Sequence, residues 1–133
     1  MLIYLDTAIV IYFVEQVPLF FPLVQQRLND IHDAGDHLAL SDLTELECLV
    51  QPLRQNNATL QADFEAFFAS AGIVHVPITS AVYRRAARIR ADHRFQLADS
   101  IHLACSLEGG CGLFLTNDHR LRVFPDIPIE VLT

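Results

Sequence analysis

Four carboxylates stand where a folded chain could gather them. Asp6 follows the apolar run LIYL, Asp118 follows GLFLTN, Asp99 opens the apolar stretch ADSIHLACSL, and Glu47 lies one to two turns into SDLTELECLV. Three or four carboxylates suit a hard divalent cation, because Mg²⁺ and Mn²⁺ prefer oxygen ligands and keep several waters that further acids can hold. Such a cation polarises a phosphodiester and lowers the pKa of a bound water, so the chemistry indicated is phosphodiester hydrolysis. Other chemistries lack their residues. All nine basic residues are arginine, and the absence of lysine removes the P-loop and Schiff-base catalysis. The histidines form no HExxH or other close ligand pair, and Cys48, Cys105 and Cys111 lack CxxC spacing. Zinc is therefore not expected, and the cysteines read as reduced core thiols.

Each acid also has a plainer reading. Asp42 and Asp99 could be first-turn acids that complement a helix dipole, a role worth about 0.3–1 kcal/mol. That reading suffices for Asp42. Asp99 differs, because Leu97, Ile101, Leu103 and Ala104 imply a helix buried on much of its circumference, where a carboxylate needs a partner. Glu45 and Glu47 compete within one helix. Leu43, Leu46, Leu49 and Val50 mark its expected core side, and Glu47 falls between Leu43 and Val50 while Glu45 projects outward. Asp6 and Asp118 could be turn residues, and only their gathering at one rim argues otherwise.

The elements that must position these acids follow from the apolar pattern. LIYL, HLAL, IVHV, GLFL and IEVL are short apolar runs separated by helically spaced segments, a β-α alternation. Helices are expected at about residues 8–14, 20–33, 43–52, 57–71, 80–93 and 98–108, with Gly35, Gly72, Gly109 and Gly110 after their ends and Thr79 or Ser80 as a cap. This predicts an α/β domain whose mostly parallel sheet is covered on both faces, with a functional rim at the strands' carboxyl ends. A chain of 133 residues, 52% hydrophobic, fits one domain spanning 1–133. Its longest apolar stretch, AIVIYFV, falls well short of the roughly 18 residues of a membrane span. No charged leader precedes an apolar segment, so a cytoplasmic protein is expected. The net charge of −7 would repel nucleic acid unless a local basic patch or a bound cation inverts the field.

Four segments taken in order, YLDTAIVIYFVE, LSDLTELECLVQPLR, RIRADHRFQLADSIHLAC and LFLTNDHRL, resemble the acidic motifs of PIN-domain ribonucleases, specifically the VapC-type toxins of toxin-antitoxin pairs. The resemblance covers nearly the whole chain. It implies a three-layer α/β/α sandwich with a sheet of about five strands. It makes Asp6, Glu47, Asp99 and Asp118 the acidic cluster, with Thr116 as a polar neighbour in the fourth motif. It also implies Mg²⁺ or Mn²⁺ as cofactor, RNA as substrate, a cognate antitoxin and a homodimer. Ala8 departs from the Asn or Ser that many relatives carry, and Glu45 adds an acid that could share the role of Glu47. In the mechanism expected, Asp6 and Asp99 ligate the cation directly. Glu47 and Asp118 hold waters, a second ion or the attacking water, and the products carry a 5′ phosphate and a 3′ hydroxyl.

Three further features accompany the acids. RRAARIRADHR holds Arg84, Arg85, Arg88, Arg90 and Arg94, which reads first as a solvated helix face. In the functional alternative, Arg84, Arg88, Arg90 and Arg94 grip RNA phosphates or acidic antitoxin residues. His102 reads as a core histidine, with a ligand or proton-shuttle role as the alternative. Residues 12–24 carry Phe13, Phe20 and Phe21 around two prolines, apolar surface that suits a groove for an antitoxin segment. The rival to a nuclease is a PIN-like module that binds RNA or protein without cutting. A haloacid-dehalogenase phosphatase would need a second Asp where Ala8 stands.

Overall fold

The computed structural model describes residues 1–132. The five apolar runs form strands β1 (Leu2–Leu5), β2 (His37–Ser41), β3 (Val74–Val76), β4 (Leu113–Thr116) and β5 (Ile129–Val131). Between them lie α1 (Thr7–Val14), α2 (Phe21–Asp33), α3 (Asp42–Arg54), α4 (Ala58–Phe68), α5 (Ser80–His93) and α6 (Leu97–Glu108), followed by a short 3₁₀ helix, His119–Val123. Local chemistry sets several boundaries. Pro22 lies in the first turn of α2, where its missing N–H costs nothing. Ser41 and Thr44 form a capping box on α3, and Thr79 caps α5 by accepting from the Val82 N–H. Pro52, inside α3, cannot supply a backbone donor, and the helix ends two residues later.

The sheet order is β3-β2-β1-β4-β5 and every pairing is parallel, with Ile3 opposite Leu38 on one side and Tyr4 opposite Phe114 on the other. The chain builds outward from β1 to β3 and then returns to place β4 on the opposite side of β1. The strand order therefore reverses between β1 and β4. A crevice opens outside the carboxyl ends at such a switch point, and Asp6 and Thr116 stand at the ends of these two strands.

Alternation along the strands divides the core into two layers. Tyr4, Ala39 and Phe114 point to one face, where Val82, Ala86 and Ile89 of α5 and Ile101, Leu103 and Cys105 of α6 cover them. Ile3, Leu5, Leu40 and Leu115 point to the other, beneath Ile9 and Val10 of α1, Val24 and Ile31 of α2, Cys48 of α3, and Phe64 and Phe68 of α4. The result is the expected α/β/α sandwich. Each fully buried aliphatic or aromatic side chain contributes about 1.5–3 kcal/mol relative to exposure. Both edge strands are only three residues long, which limits the unpaired backbone they present. Arg27 fastens the β5 edge to α2 through two hydrogen bonds to Glu130, at 2.7 and 2.9 Å.

Two expectations about helix faces are corrected. Leu46 is 61% exposed, because the fully buried stripe of α3 runs through Thr44, Cys48 and Pro52, with Leu43 and Leu49 half-buried against the core beside it. Leu97 is 58% exposed at the mouth of α6, whose burial begins at Ser100 and continues unbroken to Ser106. Cys48 and Cys105 are free and buried, and Cys111 is free and half-buried. Burial pushes the Cys48 thiol up to about 12 and the Cys111 thiol up to about 11, so neither provides a thiolate at neutral pH. Among the described residues, no helix is long and apolar enough to cross a membrane.

Candidate active site

Asp6 is held from both sides of its carboxylate. As the N-cap of α1 it accepts the Thr7 N–H on Oδ1 at 2.9 Å, and Oδ2 accepts the Thr116 hydroxyl at 2.6 Å. Its own N–H donates to the Leu115 carbonyl at 2.9 Å, which extends the β1–β4 ladder by one rung. Thr116 in turn accepts the Asp118 N–H at 3.0 Å, so one hydroxyl joins the first and fourth acidic segments. Asp118 caps the 3₁₀ helix through the Arg120 N–H and also receives the Arg120 guanidinium, whose terminal nitrogen lies 2.6 Å from Oδ2. That guanidinium holds the Asp118 carboxyl below the usual carboxylate range.

Glu47 reaches the same rim from α3. Its Oε1 accepts the Thr7 hydroxyl at 2.7 Å and lies 2.6 Å from His102 Nε2. Burial alone would raise this carboxyl, but the hydrogen bonds from His102 and Thr7 outweigh it and hold the group below its ordinary value. The His102 ring is 1% exposed and its Nδ1 lies 2.8 Å from the Tyr4 hydroxyl, which is 2.8 Å from Ser41 Oγ. With the proton on Nε2, the donors and acceptors close consistently: Ser41 donates to Tyr4, Tyr4 to Nδ1, and Nε2–H to Glu47. Thr7 on α1 and the buried chain of Ser41, Tyr4 and His102 on β2, β1 and α6 thus orient one carboxylate.

Asp99 differs from the other three. Among the described residues it accepts no hydrogen bond, and the Arg120 guanidinium approaches its Oδ2 only to 3.7 Å. Burial, followed by the neighbouring charges of Asp6 and Asp118, raises its carboxyl above the ordinary value. A carboxylate destabilised in this way, and still partly open to solvent, favours an added cation. The four carboxylates offer oxygen donors, which fit the preference of Mg²⁺ or Mn²⁺. No three of these side chains are close enough, among the described residues, to ligate one ion together. A cation would therefore be held by one or two carboxylates, with waters bridging to the rest, the mode Mg²⁺ commonly uses.

The structure brings Asp6, Glu47, Asp99, Asp118 and Thr116 to this one rim. Glu45 does not join it: its carboxyl interacts with His75 and Asp42, while the Thr7 hydroxyl donates to Glu47. The arginines divide. Arg84 and Arg85 lie at the end of α5 far from Asp99, and Arg85 pairs with Glu108 at 2.7 Å. Arg88 pairs with Asp92, four residues on, at 2.7 Å. Arg90 and Arg94 occupy the end of α5 that turns into α6, whose first turn carries Asp99, and Arg90 donates to the Phe95 carbonyl. His102 is the buried histidine expected, yet its ring also contacts Glu47. Thr7, Tyr4, Ser41 and Arg120 were not legible as site residues. Only the placement of Thr7 directly after Asp6, and of His102 one turn after Asp99, hinted at shared faces.

The Tyr4→Phe variant should isolate this network. It keeps the ring that stacks on Phe114 at 5.5 Å but leaves His102 Nδ1 and the Ser41 hydroxyl without their buried partner. We expect a loss of about 1–3 kcal/mol in urea unfolding at unchanged m-value. A loss below about 0.3 kcal/mol would show that the network is not stabilising.

A family model, the PIN domain, matches residues 3–127. No curated protein matches the sequence. Among solved structures, the chain is similar to VapBC2 from Rickettsia felis bound to a promoter DNA fragment, with a TM-score of 0.83, 13% identity and full coverage of both chains. It is also similar to DNA-bound VapBC from Salmonella typhimurium, with a TM-score of 0.73, 17% identity and full coverage of both chains. A third similar structure is Mycobacterium tuberculosis VapC20, a toxin that cleaves the sarcin-ricin loop, with a TM-score of 0.67, 14% identity, and 84% of this chain and 86% of that one covered.

Proposed function

Because the chain belongs to the PIN-domain family, we propose that it is a metal-dependent endoribonuclease and the toxin of a toxin-antitoxin pair. The observation that carries this reading is the convergence of four acidic side chains on the switch point between β1 and β4, with each one's surroundings fitted to a separate task. Asp6, fixed by two hydrogen bonds, and Asp99, which among the described residues accepts none, would hold Mg²⁺ or Mn²⁺ directly. Glu47 is kept ionised and oriented by Thr7 and His102, so it can accept a hydrogen bond from the attacking water. Asp118 would hold further water at the outer side. The chemistry supplied there by a bound divalent cation is charge neutralisation of the phosphodiester and activation of water. The attack displaces the 3′ oxygen in line, which leaves a 5′ phosphate and a 3′ hydroxyl.

The antitoxin reading rests on residues 12–24 and on the complexes formed by the similar toxins. Tyr12 stacks on Phe20 and Phe13 on Phe21, which leaves Leu19 81% exposed and Leu23 half exposed beside a groove lined by Phe13, Phe21, Ala66 and Phe67. An apolar antitoxin segment would cover this surface and could extend a basic side chain to the acidic rim. RNA as substrate and a homodimer complete the proposal, with Arg90 and Arg94 better placed than Arg84 or Arg88 to meet RNA at the rim.

The test is cleavage of RNA by the purified chain in Mg²⁺ or Mn²⁺, with the product ends identified. Products with 5′ phosphates, lost on adding EDTA and regained with fresh metal, are expected. Full cleavage in EDTA, or 2′,3′ cyclic phosphate ends, would overturn the mechanism in favour of attack by the ribose 2′ hydroxyl. RNA binding without any cleavage would favour a non-cutting module.

A further inference from the structure

Arg120 sits among the acids in a way that the proposed hydrolysis does not use. Its guanidinium grips both oxygens of Asp118, with contacts of 3.0 and 2.6 Å, and the same terminal nitrogen faces Asp99 Oδ2 at 3.7 Å. The side chain comes from the 3₁₀ helix that Asp118 caps, two residues after Asp118 itself, and is 65% exposed. It thus bridges two of the four acids with a positive charge that belongs to the chain. We propose that Arg120 is an exchangeable internal cation, balancing Asp99 and Asp118 when no divalent ion is bound and turning to a phosphate of the RNA when one is.

The inference rests on the metal-dependent reading above and adds a role for one residue to it. Two arguments support exchange. An exposed arginine-carboxylate pair contributes little, because water screens it and holding the long side chain in one geometry costs entropy. A divalent ion at the same carboxylates repels the guanidinium and displaces this weak contact. Once released, a guanidinium rooted at the rim presents a fork of N–H donors that matches two phosphate oxygens, which a lysine cannot reproduce. Arg120 would then lose its acidic partners and acquire an anionic one in the same event. A net charge of −7 makes such an arrangement useful, because it shows positive charge to RNA only when the site is loaded.

The two halves of the proposal pull measurable quantities in opposite directions. Mn²⁺ alone would be titrated calorimetrically into the full chain without RNA, and cleavage of a short RNA would be followed separately at saturating Mn²⁺. In Arg120→Ala, Mn²⁺ should bind about three- to tenfold more tightly, because its internal competitor is gone, while kcat/KM falls at least about tenfold through the lost phosphate contact. Arg120→Lys should keep near-native Mn²⁺ affinity and recover only part of the cleavage. Arg122→Ala removes the same charge from an exposed neighbour in the same 3₁₀ helix and should change neither quantity by more than about twofold. Equal shifts in Arg120→Ala and Arg122→Ala would reduce the effect to overall charge and overturn the proposal. Native Mn²⁺ affinity in Arg120→Ala, with the wild type binding Mn²⁺ normally, would overturn the exchange while leaving the nuclease reading intact. Unchanged cleavage in Arg120→Ala at saturating Mn²⁺ would overturn the phosphate contact. A wild type that binds no Mn²⁺ would overturn both the exchange and the metal-dependent reading.

Discussion

Asp6→Asn should leave a folded protein whose RNA cleavage has fallen by at least about a hundred- to a thousandfold, the scale of removing one preorganised electrostatic group from a site. The fold should survive because Asn is as good an N-cap as Asp, and its remaining oxygen can still accept the Thr7 N–H. The Thr116 hydroxyl loses a carboxylate acceptor but can rotate to a new partner. What disappears is one negative charge at nearly constant volume. Circular dichroism and a thermal melt would show the retained fold, and a gel assay in Mg²⁺ would show the lost activity. Asp6→Ala is the harsher change, adding about 1 kcal/mol for the lost cap. Native cleavage rates in Asp6→Asn would remove Asp6 from the mechanism and direct attention to the Glu47 side of the rim.

Much of this site could be read from the sequence because strands buried on both faces leave an unmistakable record. LIYL and GLFL are continuous apolar runs, and a carboxylate or threonine at the end of each must emerge at the rim. Helix ends were equally legible where a residue has one dominant use, as with Thr79 at the start of α5 and Gly109 at the end of α6. The faces of α3 were less legible. Counting leucines pointed to Leu46, whereas the buried positions are Thr44, Cys48 and Pro52, small groups that let α3 approach the sheet closely. Helical spacing favours Glu47 over Glu45 even though Leu46, on the same count, is exposed. The stronger reason lies in the contact with Thr7, which no periodicity reveals.

The polar network was hidden for a different reason. Tyr4, Ser41 and His102 sit on three elements separated by 37 and 61 residues of chain, and each satisfies an ordinary rule alone. Tyr4 is a buried aromatic, Ser41 a cap, and His102 a core histidine. Their joint effect on Glu47 exists only once β1, β2 and α6 are packed together. Arg120 is hidden similarly, because the dense arginine run in α5 dominates the basic composition. A single arginine two residues beyond an acid carries no compositional signal, yet it is the arginine that contacts Asp118 and Asp99.

Asp99→Asn should move stability and activity in opposite directions. At neutral pH the Asp99 carboxylate is destabilised by burial and by the charges of Asp6 and Asp118, with Arg120 and His102 opposing them and the first turn of α6 adding the helix-terminus field. The helix terminus offers only about 0.3–1 kcal/mol and water screens the exposed Arg120 pair, so the unfavourable terms win and the carboxyl stands above its ordinary value. A raised acid binds more protons folded than unfolded, so its contribution to stability falls as pH rises through the interval between the two values. Asn has no such loss. The variant should therefore be more stable than the wild type at neutral pH by about 0.5–2 kcal/mol, the usual span of a stabilising substitution, with a melting temperature a few degrees higher. That advantage should vanish below the ordinary aspartate range, where the wild-type group is protonated in both states. Glu47 and Asp118 behave oppositely, since their carboxyls are lowered and their stabilisation is lost as pH falls, but the substitution leaves that part of the curve common to both proteins. Cleavage should drop at least about a hundredfold, because Asp99 is the acid that accepts no hydrogen bond and has most to gain from a cation. Melting curves from pH 3 to pH 8, measured without divalent ions, decide the stability half. A variant less stable than the wild type at neutral pH would show that Arg120 and the helix terminus already satisfy Asp99, and the motive for placing a cation beside it would be gone.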